Sequence, residues 1–83
     1  MSPTEDAARP ITHGSASDES FAAERPRLVG LAYRMLGSVV DAEDVVQDAW
    51  LRWDRADRMS IDNAAAWLTT VTSRLAIDRL RAQ

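Results

Sequence analysis

No cysteine occurs among the 83 residues, which excludes both a disulfide framework and a thiolate metal site. The lone histidine, His13, sits in a polar opening segment and leaves no material for an imidazole metal cluster or a catalytic triad. No apolar run approaches the roughly 18 residues of a membrane span, and no secretory signal is visible. The default location is therefore the cytoplasm, with no membrane partner. Strand-like alternation is missing throughout, as is any internal repeat. The chain is short enough for one domain at most. A core this small is marginal unless helices pack tightly or a partner contributes.

Lysine is also missing. All ten basic residues are Arg, most simply a mark of genomic base composition. The net charge of −3 argues against wholesale nucleic-acid binding, but the charge is segregated. Residues 1–24 hold Glu5, Asp6, Asp18, Glu19 and Glu24 against Arg9, which leaves nine Arg against eight acids over residues 25–83. The acids concentrate in the middle of the chain. Arg74, Arg79 and Arg81 face only Asp78 near the end.

What is present reads as helix. Residues 1–19 mix Pro, Ser, Thr, Gly and charge without a period and are expected to form a disordered tail, with one helical domain over residues 20–83. The first helix starts at Ser20 or at Arg25 and ends at Leu36. Leu28, Leu31, Ala32, Met35 and Leu36 form its apolar stripe. Pro26 suits a first turn and favours the later start, and Gly37 fits the left-handed residue that closes a helix. A second helix is expected from about Ala42 to Ala56, with Asp41 as its N-cap and Arg52 and Arg55 near its C-terminal end. Residues 57–62 read as a loop. A third helix, capped by Asp62 or Asn63, runs to the end with Ala64, Trp67, Leu68, Val71 and Leu75 as its core stripe. The expected fold is an all-α bundle of three main helices in which Trp50, Trp53, Trp67, Leu68, Val71 and Leu75 are largely buried.

The second helix carries the most information. Ala42, Val45, Val46, Ala49, Trp50 and Trp53 make one buried stripe. Asp44, Gln47, Asp48 and Leu51 recur on a neighbouring face, an acid and amide surface that no core requires and that suits a basic partner. On the third helix, Thr70, Arg74, Ile77 and Arg81 fall in one row opposite the core, with Ser73 beside it. Arg reads phosphates or base edges, Thr and Ser add hydrogen bonds, and Ile can touch a thymine methyl. From spacing alone an ordinary solvated face is the more economical reading of this row. The three Trp could stack on bases, but their place on core stripes favours packing. Asp78, near the edge of the core stripe, calls for a structural partner such as Arg34. Asp44 and Asp48 lack the third carboxylate, the His or the pocket that a catalytic or metal site would need.

These residues resemble a known family. DAEDVVQDAWLRW (41–53), followed by AWLTTVTSRLAIDRLR (66–81), is similar to region 2 of a bacterial extracytoplasmic-function (ECF) sigma factor. The resemblance covers about Phe21 to the end. RPRL (25–28), AYRMLG (32–37) and the AWLTTV run are most similar to the subgroup that carries a C-terminal SnoaL-like (NTF2-like) extension. The resemblance implies that the chain docks on the β′ clamp helices of core RNA polymerase through Asp44, Gln47, Asp48 and Leu51. It also implies that the chain recognises and melts the promoter −10 element on the non-template strand. The DNA-contacting residues would be Arg58, Ser60, Asn63, Thr70, Ser73, Arg74, Ile77 and Arg81, and a flipped base would enter a pocket formed by the loop and the start of the last helix. Many ECF factors have Arg-Asn where this chain has Ser73-Arg74, which changes the expected −10 preference. An anti-sigma factor or the protein's own C-terminal domain is a further expected partner. No cofactor or metal is implied.

The sequence stops at Gln83, before the linker and the region that would read the −35 element. The chain is thus expected to be a fragment or truncated product that does not initiate transcription alone. Two other classes compete with the leading reading. A helical protein-interaction module would bind polymerase or another partner without reading DNA. A helix-turn-helix repressor would need a tighter turn and a shorter recognition helix. An enzyme has no residues to support it.

Overall fold

The computed structural model describes the backbone of residues 12–82 and the side chains of residues 19–82. The described residues form three α-helices, α1 (Thr12–Leu36), α2 (Val39–Arg55) and α3 (Ala64–Ala82), with a 3₁₀ turn (Arg58–Ser60) between the last two. Each helix packs on both others. The start of α1 lies ahead of both Ser20 and Arg25, and Pro26 sits inside the helix rather than in its first turn. The expected tail falls mostly outside the described residues.

The joints explain themselves locally. Gly37 adopts a φ of 73°, and its N–H donates to the Tyr33 carbonyl at 2.7 Å, which closes α1 by the left-handed route that glycine alone enters freely. Ser38, not Asp41, caps α2: its Oγ accepts from the Asp41 N–H at 3.2 Å. Asp41 instead falls in the first turn, where a carboxylate suits the helix dipole. Asn63 caps α3 by accepting from the Ala66 N–H at 3.0 Å.

The core is contiguous. Phe21, Leu28 and Ala32 of α1 meet Ala42, Val45, Val46, Ala49 and Trp53 of α2, and Leu68, Thr72 and Ala76 complete it from α3. The α2 stripe follows its expected spacing, except that Trp50 lies at the rim, edge-on to Phe21 with ring centroids 6.4 Å apart. On α3 the buried row is rotated from the expected one. Trp53 and Leu68 are buried, but Trp67, Val71 and Leu75 are only half-buried, because α3 faces α1 as well as α2. The line that meets both neighbours therefore runs through Leu68, Thr72 and Ala76, and Trp67, Val71 and Leu75 cover the α2 side of the seam. Trp67 packs on Trp53 there, with centroids 5.7 Å apart.

Polar links tie α3 down at both ends. Near its start, Arg27 of α1 donates to Thr69 Oγ1 at 2.8 Å and to the Ala65 carbonyl at 3.3 Å. Near its end, Arg79 reaches Asp41 at 2.9 Å and Asp44 at 3.2 Å on α2. This replaces the expected Arg34–Asp78 pairing: Asp78 is exposed and makes no ion pair among the described residues. The contact of α2's first turn with α3's last turn makes the two helices antiparallel.

Candidate functional site

Two surfaces emerge from this packing. The first lies on α2. Burying Ala42, Val45, Val46, Ala49 and Trp53 turns Asp44, Gln47, Asp48 and Leu51 outward, and all four are exposed. They are brought together as one strip. Asp44 does not stand free on it, since Arg79 holds its carboxylate. Val40 lies one turn before Asp44 on the same line and is 69% exposed, a large apolar side chain without a core function. Sequence reasoning passed over Val40 because the helix was expected to begin at Ala42.

The second surface joins the loop to α3. Thr70, Arg74, Ile77 and Arg81 are exposed in one row, as the spacing predicts, whereas Ser73 is half-buried. Residues Ser60, Asp62, Asn63, Ala66, Trp67, Thr70 and Arg74 line an open depression of ≈ 440 Å³ between the loop and the start of α3. Ser60 and Asn63 stand in its wall and also hold the local backbone. Ser60 Oγ donates to the Asp57 carbonyl at 2.7 Å, and Asn63 caps α3.

Arg58 is placed differently from the other nominated DNA contacts. Its guanidinium turns back onto α2, donating to the Trp53 carbonyl at 2.7 Å and the Asp54 carbonyl at 3.2 Å, with its Cζ 5.6 Å from the centroid of the Trp53 ring. It adds a donor to carbonyls at the C-terminus of α2, of which that of Trp53 also accepts from the Ala56 N–H at 3.2 Å, and pins the loop over Trp53. The residue left at the loop tip is Met59, 95% exposed, for which the sequence offered no signal beyond its place in a loop. Among the described residues no group of His, Cys, Asp and Glu side chains could hold a metal ion, and no helix is long and apolar enough to cross a membrane.

A three-helix unit with an acid and amide strip on one helix, and a cationic row plus a loop-lined depression on the next, has the layout of a sigma-factor core module. Comparison with known proteins gives the family: residues 21–83 match the Sigma-70 region 2 model, and the chain belongs to that family. It is 57% identical over 61 residues to the ECF RNA polymerase sigma factor SigJ of Mycobacterium tuberculosis, covering 74% of this chain and 19% of that protein. It is 45% identical over 62 residues to the probable ECF RNA polymerase sigma factor SigI of the same organism, covering 75% of this chain and 21% of the relative. The ECF RNA polymerase sigma factor SigW of Bacillus subtilis is 37% identical over 59 residues, 69% of this chain and 32% of the relative. The chain thus spans about a fifth to a third of the length of these relatives. No solved structure gave a significant match.

Proposed function

We propose that the chain serves an ECF sigma factor as the module that docks on the β′ clamp helices of core RNA polymerase and recognises and melts the promoter −10 element. The observation that supports this best is the division of labour on the antiparallel α2–α3 pair. An acid and amide strip that the core does not need lies on α2, and a cationic row beside a loop-lined depression lies on α3. Basic clamp helices complement the strip, and such complementarity chiefly secures register and a fast approach. Asp44, Gln47, Asp48 and Leu51 carry this contact, with Val40 extending it. On docking, Asp44 exchanges Arg79 for a cation of the partner.

On the DNA side, Thr70, Arg74, Ile77 and Arg81 face the non-template strand. A base released from the stack enters the depression walled by Ser60, Asn63 and Trp67. Releasing that base costs a few kcal/mol, which its contacts in the pocket offset. Ser73 contributes from the margin of the row. Arg58 shapes the loop from behind and does not touch the strand. The chain needs no catalytic residue, metal or cofactor for this work. An anti-sigma factor, or another part of the same protein, is a competitor for the same surfaces. The residues around Arg25 and Tyr33 align the protein with the subgroup bearing a C-terminal SnoaL-like extension.

The test is binding of the chain to core polymerase and, with polymerase present, to a fork-junction DNA with a single-stranded −10 region. Both are expected. Polymerase binding without any gain in DNA binding would leave a protein-interaction module in place of a promoter-reading one.

A further inference from the structure

Two carboxylates of α2 share one nitrogen of α3. Arg79 Nη2 donates to Asp41 at 2.9 Å and to Asp44 at 3.2 Å. The two bonds differ in setting. The Asp41 side chain is 26% exposed and borders the α2–α3 groove, whereas the Asp44 side chain is 58% exposed and lies on the outward strip. Asp48, one turn further along the strip, makes no ion pair among the described residues. The strip therefore presents one carboxylate held by its own chain and one open.

Tying α3 to α2 accounts for the Asp41 bond, which is the shorter and the more sheltered from water. It does not account for the Asp44 bond. A pair this exposed contributes little to stability, and it covers a carboxylate that a basic partner would use. Because both bonds leave from one nitrogen, Arg79 keeps Asp41 when it gives up Asp44, so the helices stay linked. Its surroundings ease the release. Asp41, Asp48 and Asp78 line the groove around the guanidinium, with no second cation among the described residues. A displaced Arg79 thus remains among carboxylates.

We propose that Arg79 is a built-in competitor for the docking strip: in the free chain its guanidinium occupies Asp44, and a cation of the polymerase clamp helices must displace it. This rests on the reading of Asp44 as a polymerase contact. The free chain is thereby held below the affinity that its strip alone would give. A partner that brings a cation to Asp44 and also engages the rest of the strip displaces Arg79. A stray basic surface that meets Asp44 alone does not, so the contact favours the true partner by opposing the wrong ones.

The experiment measures binding of the labelled chain to core polymerase at low ionic strength for wild type, Arg79→Gln, Asp44→Asn and the double variant. R79Q should bind more tightly than wild type by about two- to fivefold, the fold-change to which an exposed pair amounts. A residue that only held the helices together would give unchanged or weaker binding when lost. The gain should disappear when R79Q is made on top of D44N, because the carboxylate that Arg79 covers is then gone. Asp41→Asn supplies the opposite sign. It leaves Asp44 as the one carboxylate bonded to Arg79. It should therefore weaken docking more than Glu43→Gln, which removes the same charge nearby without touching Arg79. This pair of variants carries the test if circular dichroism finds R79Q unfolded. Unchanged or weaker binding by folded R79Q, or D41N no weaker than E43Q, overturns the competitor. An equal gain from R79Q with and without D44N also overturns it, since summed charge alone would then decide. If D44N binds polymerase as well as wild type, Asp44 is not a contact, and the docking reading fails and takes the competitor with it.

Discussion

α2 and α3 lie side by side and share one seam, yet they are anchored by different means. α2 inserts Val45, Val46 and Trp53 together with Ala42 and Ala49, all buried, and exposes acid on its outer face. α3 fully buries only Leu68, Thr72 and Ala76, and relies on half-buried Trp67, Val71 and Leu75 and on the arginine links at each end. Partly exposed ion pairs such as those of Arg79 contribute about 0–1 kcal/mol each. The proposed docking surface thus rides on the firmly buried helix and the proposed reading surface on the lightly anchored one. Elements that must adjust to a ligand are commonly drawn from the less stable part of a fold.

The comparison is broken most severely by removing α2's main anchor. Trp53→Ala takes away a side chain 4% exposed that packs at a tilt against Trp67 and carries the Arg58 guanidinium over its ring. Truncating a buried Trp costs about 3–5 kcal/mol, most of the stability of a domain this small. Thermal unfolding followed by circular dichroism should find the variant largely unfolded at room temperature. Retention of a cooperative transition close to that of wild type would mean that α2 is not the anchor.

Next in size is the docking strip. Replacing Asp44, Gln47 and Asp48 together with Ala should weaken binding to core polymerase by about 2–5 kcal/mol, the range for truncating charge pairs that become buried at an interface. Helicity should survive, because such exposed positions usually change stability by under about 0.5 kcal/mol each. Asp44 adds only the loss of an exposed pair to Arg79, whose Asp41 contact remains. A triple variant that binds polymerase as well as wild type would remove the strip from the interface.

Arg74 sharpens the comparison on the α3 side. If Arg74 grips phosphate, as its place beside Arg52 argues, Arg74→Ala should weaken fork-junction binding equally on all sequences and flatten the salt dependence. If it reads a base, the cost should be roughly 1–3 kcal/mol on the preferred sequence, with relaxed preference at one position. Fork-junction titrations with core polymerase separate the two. No change in either quantity would make the α3 row an ordinary solvated face.

The same contrast explains what could be read from residues alone. The α2 stripe was legible because its apolar side chains are large and recur at one helical spacing, leaving Asp44, Gln47, Asp48 and Leu51 as the outward strip. The outward row of α3 was legible for the same reason, since Arg74 and Arg81 could not be core. The buried line of α3 was not, because Thr72 and Ala76 carry little hydrophobic signal and Val71 and Leu75 outweigh them in any periodic count. Only the position of α1 decides that the seam runs through the smaller residues. The partners of Arg58 and Arg79 were not legible for another reason: a guanidinium's partner depends on which helix end or carboxylate the fold brings within reach. Asp78 and Arg79 are neighbours, yet only Arg79 finds partners across the seam. The early start of α1 was hidden by a polar stretch without a period.

The smallest expected effect tests the lightly anchored helix directly. Thr72 is fully buried in the centre of the α3 line, and its Oγ1 has no hydrogen-bond partner. A buried hydroxyl left unsatisfied costs free energy, about 1–3 kcal/mol by mutational measure. Val has nearly the shape of Thr and a similar helix propensity, so Thr72→Val removes the orphan hydroxyl and keeps the packing. The net gain should be under about 1 kcal/mol, since the added methyl must still find room in a close-packed seam. It should appear as a rise of a few degrees in the melting midpoint. Polymerase binding should not change, because Thr72 touches neither surface. Stabilisation would show that α3 holds a polar defect that α2 lacks, and that the weaker anchoring of the reading helix is built into its core. A loss of stability would mean that the hydroxyl is satisfied in solution, by water or by a carbonyl of its own helix, and the contrast between the two helices would then rest on side-chain size alone.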